Sequence, residues 1–574
     1  MQRFSLAVLC ASMALAWMPA AQAETLQKPA LDRFAAAQQA QPAPDFNAFL
    51  AAAAQANPWL QADVAAYRAK AVLTGDALTN ISRLLGLYNR LHNQTAVIAS
   101  IAQMVAIPTV RDDKIPPHQN PNTIAFGTLL EAMAKDFGLQ YRNVDNRIFE
   151  IKLAGRGQEE FGILTHADVV PVVADEWVLD DGTKLDPFKL TRVGGYLYGR
   201  GTIDDKGSIA AVLYAMKSVK DSGLPLDRTI RLMVETTEET GGDAMKYYRA
   251  QNPLPNYNIV LDSKYPAVVA EKGSGALKVF FPAVPTDASS TAIVAMAGAA
   301  AANAVPQNAT AQLRGGNLVA VAAQLEAAKA AFVQKYSAQG GAFSIAISSS
   351  ADSVDIKVVG VSAHGSRPEE GVNPLPRLAL FLQESGVPLA RNHYARAVQY
   401  LGDLYGTGYL GEKMGLGYRD DFMGPLTFSP NLIREKDGKL EVTANVRMPR
   451  GRTPAELTAA VTAKVNAWSS AQQAPLEISY DQGDWMARDP KGAWLATLLN
   501  IFGDTTGLEA KPVPTAGSTT AKLMPNAINF GPAMPGKKYT AHNAKEFKEV
   551  VDLDADMQMF TEMLVRIGNL PQMQ

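Results

Sequence analysis

The chain is nearly without cysteine: a single thiol, Cys10, occurs in 574 residues. It falls in "MQRFSLAVLCASMALAWMPAAQA", which has Arg3 near its start, an apolar run from Phe4 to Met18, and small residues at Ala21 and Ala23. That is the layout of a secretory signal peptide over residues 1–23, with cleavage expected after Ala23. The run is short of the roughly 20 apolar residues a membrane span needs. A mature chain starting at Glu24 has no thiol, so disulfides and cysteine metal ligands are excluded, and a metal site must draw on His, Asp and Glu. Histidine is scarce too, with six residues in all. Neither sign of charge dominates: the formal net is −2, and no broad field argues for nucleic acid or an anionic membrane. No short-period repeat is visible. A content of 47% hydrophobic and 19% charged residues suits a folded chain with more than one core.

What is present is an ordered run of elements. Residues 24–95 are alanine-rich and predict a helical N-terminal extension, with "NAFLAAAAQANPWL" and "ISRLLGLYNRLHN" as its candidates. A first α/β segment is expected over 96–272. In it "RIFEIKL" (147–153) alternates as a half-buried strand does. "EFGILTHAD", "RTIRLMVETTEE" and "YNIVLD" are apolar strand-like runs that end in His166 and Asp168, in Glu238 and Glu239, and in Asp262. Between the first two, Ile209, Val212, Leu213, Met216 and Val219 form one stripe of a helix from about Gly207 to Ser222, stopped by Gly223. Strands alternating with helices predict an α/β fold, and such sheets place their sites at strand ends.

From 273 to 484 the texture changes to that of a separate α+β unit inserted into the first. "SSTAIVAMAGAAAANAVPQNATAQL" and "LVAVAAQLEAAKAAFVQKY" read as alanine-rich helices, and "AFSIAISSS", "SVDIKVVGVSAH" and "KLEVTANVRMP" as strands. Thr453 with Glu456 three residues on, and Pro454 between, is a capping-box start for another helix. The last stretch, 485–574, returns to α/β.

The short segment "GRGTIDDKG" (199–207) carries two aspartates where the helix begins. It lacks the G-x-x-x-x-G-K-[ST] of a phosphate loop, and its carboxylates would repel a phosphate. A helix cap by Asp204 or Asp205 is the bland alternative. His166 stands out from the other histidines because it ends an apolar strand with Asp168 two residues away on the same face, placed to orient the imidazole. Glu238 and Glu239 follow a strand directly, so one can serve a metal and the other a water.

Taken together, "THADVVP", "LYGRGTIDDKG", "ETTEETGG", "LDSKYPAVVAEKG", "SAHGSRPEEG" and "AHNAKEF", in that order, resemble the di-zinc metallopeptidase family of carboxypeptidase G, aminoacylase and the carnosinases. The resemblance covers about residues 96–574 and is closest to bacterial PepV-like dipeptidases. It implies a zinc-aminopeptidase-like three-layer α/β/α catalytic domain with an inserted α+β lid. It implies two Zn²⁺, or Co²⁺ or Mn²⁺ in their place, held by His166, Asp204 as the bridge, Glu239, Asp262 and His542. Glu238 resembles the general base, Asp168 the residue that holds His166, His364 the oxyanion-stabilising lid histidine, and Arg447 the grip on a terminal carboxylate. Gly517, Ser518 and Thr519, in "AGSTTAK", look like the substrate loop. Here Ser518, Thr520 and Lys522 stand where glycine, tyrosine and arginine are usual, which bears on pocket shape more than on chemistry. The long stretch between Asp262 and His364, about 100 residues, is similar to relatives in which an enlarged lid supplies this histidine within one chain, so a monomer is expected. These readings point to an exported, periplasmic or secreted, zinc dipeptidase acting on small peptides, with no nucleic-acid or membrane partner. An N-acyl-amino-acid amidohydrolase with the same metal core is the alternative. A non-catalytic binding protein of this fold is disfavoured, because such a chain would have lost ligands.

Overall fold

The computed structural model describes residues 25–285, 289–488 and 492–574. The signal segment lies outside the described residues. Period-two runs became strands of one nine-stranded mixed sheet. Its spatial order is Gln140–Val144, Ile148–Leu153, Thr229–Glu235, Glu160–His166, Tyr257–Val260, Ala527–Asn529, Ala267–Glu271 and Met486–Ala487, with Pro512–Thr515 also paired to Ala267–Glu271. The four central strands, Thr229–Glu235 to Ala527–Asn529, run parallel. Parallel strands bring their C-terminal ends to one edge of the sheet, and here three of those ends carry acid or histidine groups.

The pleat sorts the strands' side chains onto two faces. Phe161, Ile163, Leu232, Val234 and Ile259 pack with the helices Gly75–Val105, Lys206–Ser222 and Val550–Gly568. Leu164, Met233 and Val260 face the other way, onto Met245 and Tyr248 of helix Asp243–Arg249 and onto Met524. This is the expected three-layer α/β/α arrangement.

The N-terminal helices Lys28–Ala40, Phe46–Ala56 and Gln61–Arg68 share that first core. The next helix runs unbroken for 31 residues, Gly75–Val105, so no break marks residue 95. Arg83 on it is buried and ion-paired with Asp504 and, at 3.3 Å, with Glu562, and it donates to the Leu26 carbonyl at 2.6 Å. The extension is thereby tied to the last helices of the chain. Gly86 allows the closest approach: a Cβ there would stand 2.6 Å from the Gln558 carbonyl oxygen. Gly86→Ala is expected to lower stability by about 1–3 kcal/mol, read as a drop in melting temperature. An unchanged melt would mean that these two helices do not pack this closely.

Residues 273–482 fold around a second core. One sheet has the order Thr427–Lys436, Lys439–Met448, Gly273–Pro282 and Glu477–Gln482. The other has the order Ala292–Ala297, Asn308–Arg314, Val354–Val359 and Ser344–Ser349. Helices Leu318–Gly340, Pro374–Glu384, His393–Leu404 and Pro454–Gln472 cover them. The capping box forms, with Thr453 Oγ1 accepting from the Glu456 amide and Glu456 Oε2 accepting from the Thr453 amide. The first alanine-rich segment is not helical but makes strands Ala292–Ala297, Ala304–Val305 and Asn308–Arg314. A bulge between Ile293 and Ala295 explains the misleading pattern, because it lets Ile293 and Met296, three residues apart, both reach the lid core. Pairing and burial override the helix propensity of alanine here. Among the described residues no helix is long and apolar enough to cross a membrane.

Candidate metal centre and active site

His166 is the last residue of its strand, Glu238 and Glu239 sit in the turn after strand Thr229–Glu235, and Asp262 lies just past Val260. "GRGTIDDKG" turns across these ends through Gly201, at φ +89°, and enters the helix at Lys206. The peptide between Asp204 and Asp205 is cis. Asp205 occupies the N-cap position of that helix, but its side chain makes no capping hydrogen bond. Asp204 instead points its two oxygens at two histidines, Oδ1 to His166 Nε2 at 2.8 Å and Oδ2 to His542 Nε2 at 3.1 Å. His542 Nε2 is also 2.7 Å from Glu239 Oε1, and His166 Nε2 is 3.8 Å from Asp262 Oδ2. The cluster therefore divides into two ligand groups that share the Asp204 carboxylate. All five residues expected as ligands meet there, and Glu238 joins the group of His166 and Asp262 within 4.8 Å.

The electrostatics fit divalent cations. Burial, then the charge of Asp262, pushes the Glu238 carboxyl well above the usual range. Burial, then the Asp204 charge, lifts Asp262 to about 7. Burial opposes a charged His542, yet Glu239 and Asp204 raise its imidazole to about 10. The Glu238 side chain accepts no hydrogen bond among the described residues. Crowded carboxylates are stable as anions only beside positive charge, which the two histidines supply while protonated and which an oxygen- and nitrogen-ligated metal pair would supply once they ligate as neutral rings.

Asp168 contacts His166 more closely through its main chain than through its carboxylate. His166 Nδ1 donates to the Asp168 backbone carbonyl at 2.9 Å, while the carboxylate oxygen nearest that nitrogen is 3.6 Å away. The carboxylate accepts instead from the amides of Glu238 and Glu239, both at 3.1 Å. One residue thus orients a ligand through its main chain and the Glu238–Glu239 turn through its side chain.

The lid closes the site from above. His364 is held by pairing of Ala304 with His364 and by the Gly365 amide on the Asn303 carbonyl at 2.6 Å. A Cβ on Gly365 would sit 2.6 Å from that same oxygen, which is why the position is glycine. The His364 ring stacks on His542, with centroids 4.2 Å apart. Its Nδ1 accepts from the Ser366 amide at 3.0 Å, so the proton of the neutral ring is on Nε2. Burial, then the charges of His542 and Arg447, hold the imidazole well below its ordinary value and keep it neutral. Asn303 donates to Glu239 Oε2 at 3.2 Å, and its carbonyl faces His542 Nδ1 at 3.4 Å.

Arg447 lies on strand Lys439–Met448, opposite Ser274. Its Nε donates to Asn445 Oδ1 at 2.9 Å, leaving its two amino groups toward a cavity of about 640 Å³. Burial lowers the guanidinium to about 10, still charged at neutral pH. Glu238, His364, Gly517, Ser518 and Thr519 line the same cavity. Thr519 is committed, however: its amide and hydroxyl donate to Glu271 at 3.1 and 2.7 Å. It shapes the loop and lines the cavity beside Gly517 and Ser518.

The sequence profile of peptidase family M20/M25/M40 matches residues 162–566. The chain belongs to that family. Among curated M20-type relatives it is 27% identical to the putative dipeptidase YtjP of Bacillus subtilis over 444 residues, 77% of this chain and 89% of that one. It is 27% identical to the Beta-Ala-Xaa dipeptidase of Lactobacillus delbrueckii subsp. lactis over 483 residues, 82% and 96% of the two chains. Among solved structures, human carnosine dipeptidase 1 aligns with a TM-score of 0.54 at 13% identity, covering 85% of this chain and 99% of that one. A likeness at that identity is one of fold. Within this M20 peptidase the residues that sequence reasoning passed over are Asn303, Ser366 and Glu546. Asn303 is one polar residue in an alanine run. The other two sit inside quoted motifs, but nothing in their spacing distinguishes them from loop residues.

Proposed function

We propose that this M20 peptidase is an exported dipeptidase that uses two zinc ions to cleave the peptide bond of small peptides. The observation that carries the reading is that Glu238, the shared Asp204 cluster, His364 and the free guanidinium end of Arg447 all open onto one cavity. The dipeptidase names of the curated relatives support it. Divalent cations held by His166, Asp204, Glu239, Asp262 and His542 would make a scissile carbonyl more electrophilic and acidify a water. Glu238 takes the proton of that water and returns it to the leaving amine as the C–N bond breaks. His364 donates its Nε2–H to the oxygen that gains charge. Arg447 holds the substrate's terminal carboxylate with its two amino groups. The dipeptidase names of the curated relatives favour a free amino end on the substrate over an acylated one. Hydrolysis of free dipeptides is therefore expected to exceed that of their N-acetylated forms, and the reverse preference would make the chain an N-acyl-amino-acid amidohydrolase.

Chelator treatment is expected to abolish activity, with recovery on adding back Zn²⁺, Co²⁺ or Mn²⁺, and metal analysis is expected to give about two ions per chain. Hydrolysis by protein shown to be metal-free would end this reading. The proposed monomer rests on His364 reaching His542 within one chain, and light scattering on the purified protein checks it. Export rests on residues 1–23. An N-terminus at Glu24 on protein from the periplasm or medium is the expected result, and an intact Met1 there would refute cleavage.

A further inference from the structure

Glu546 lies four residues after His542 and is fully buried. Its Oε1 accepts three main-chain hydrogen bonds, from Gly201 at 3.1 Å, Ile203 at 3.0 Å and Asp204 at 3.2 Å. Its Oε2 takes an ion pair from Arg200 Nη1 at 2.6 Å, and that guanidinium in turn lies over the Trp177 ring, 5.4 Å from its centroid. A turn whose N–H groups converge on one point is an anion-binding concavity, the kind of loop that elsewhere holds phosphate. Here the anion is the protein's own carboxylate. The front of the same turn presents Asp204 to both histidines. The main chain completes the tie: the Gly199 amide donates to the Glu546 carbonyl at 3.1 Å, and strands Tyr196–Tyr198 and Phe547–Glu549 pair next to it.

We propose that Glu546 is a positioning residue that locks the loop bearing Asp204 to the loop bearing His542, so that the Asp204 carboxylate is set between the two histidines before any cation arrives. This rests on the metal-centre reading above. Removing the tie leaves Asp204 free to swing. Residues that hold metal ligands in place typically change metal affinity about 10–100-fold when altered.

Two measurements test it. In the unaltered protein, hydrogen exchange of the amides of Gly201, Ile203 and Asp204 is expected to stay slow after the metal is stripped, because Glu546 holds them. Fast exchange in the stripped protein would overturn the proposal, since the cations would then be what orders the loop. In Glu546→Gln the amide oxygen can still accept from the turn, but the NH₂ faces Arg200 and the ion pair is lost. Zinc titration of this variant is expected to show affinity weakened about 10–100-fold, with kcat within a few-fold of normal at saturating zinc and KM unchanged. A merely structural role would lower the melting temperature of the metal-free protein while leaving zinc affinity intact, and that result would also overturn it. Should the variant fail to fold, the exchange measurement decides alone. If the unaltered protein itself binds no zinc, the metal reading fails. If it binds zinc and Glu546→Gln binds equally well, only this inference fails.

Discussion

Glu238→Gln is expected to fold, to bind its metal ions, and to lose about 10²–10⁴-fold in kcat with KM little changed. The amide keeps the size and the position of the side chain, which the Asp168 carboxylate fixes through the Glu238 amide. What it loses is the ability to take a proton and return it. Its place beside His166 and Asp262 puts a carboxylate next to the expected water. Two outcomes separate the roles. Near-normal turnover would remove Glu238 from proton transfer. Loss of a metal ion would make it a ligand of the His166 and Asp262 group, which its position also permits.

His364→Ala is expected to retain metal and to lose about 10²–10³-fold in kcat, which corresponds to roughly 2.7–4 kcal/mol for one oxyanion donor. The ring is neutral, its Nε2 proton is directed by the Ser366 amide on Nδ1, and it rests against His542. A donor fixed in this way needs no reorganisation when charge develops. Full activity in this variant would show that the lid histidine does not meet the reacting oxygen. Because the ring also stacks on a ligand, metal content measured beside kcat separates a lost donor from a disturbed centre.

Much of this was legible in the residues, for physical reasons that differ by place. The switch from helical spacing to alternation located the strands, and acid groups at the ends of apolar runs marked His166, Asp262 and the Glu238–Glu239 pair. The capping box at Thr453 is local and formed as written. The strand Ala292–Ala297 was hidden by a bulge that spaces its core residues as a helix would. Asp168 was recognised by type and position, yet a sequence cannot show whether a residue will use its carbonyl or its carboxylate. Asn303 and Glu546 were illegible as functional groups because their partners come from far along the chain, and only the fold brings them together.

The two crossings between the catalytic half and the lid lie side by side. Strand Gly273–Pro282 leaves the large sheet directly after Ala267–Glu271, and Glu477–Gln482 returns beside it, with the Gly483 amide on the Ser274 carbonyl at 2.8 Å. Lys522 pins the place where they meet, its ammonium donating to the carbonyls of Lys272 and Asp484, both at 2.8 Å. Two adjacent crossings fastened at one point would serve as the pivot of any rotation of the lid. Arg447 is near that point, opposite Ser274, and would be displaced little by such a rotation. His364 follows strand Val354–Val359 of the other lid sheet, and the same rotation would part it from His542. A bound peptide would accordingly be gripped by its carboxylate before it is committed to chemistry, and after cleavage the oxyanion donor would withdraw before the grip does.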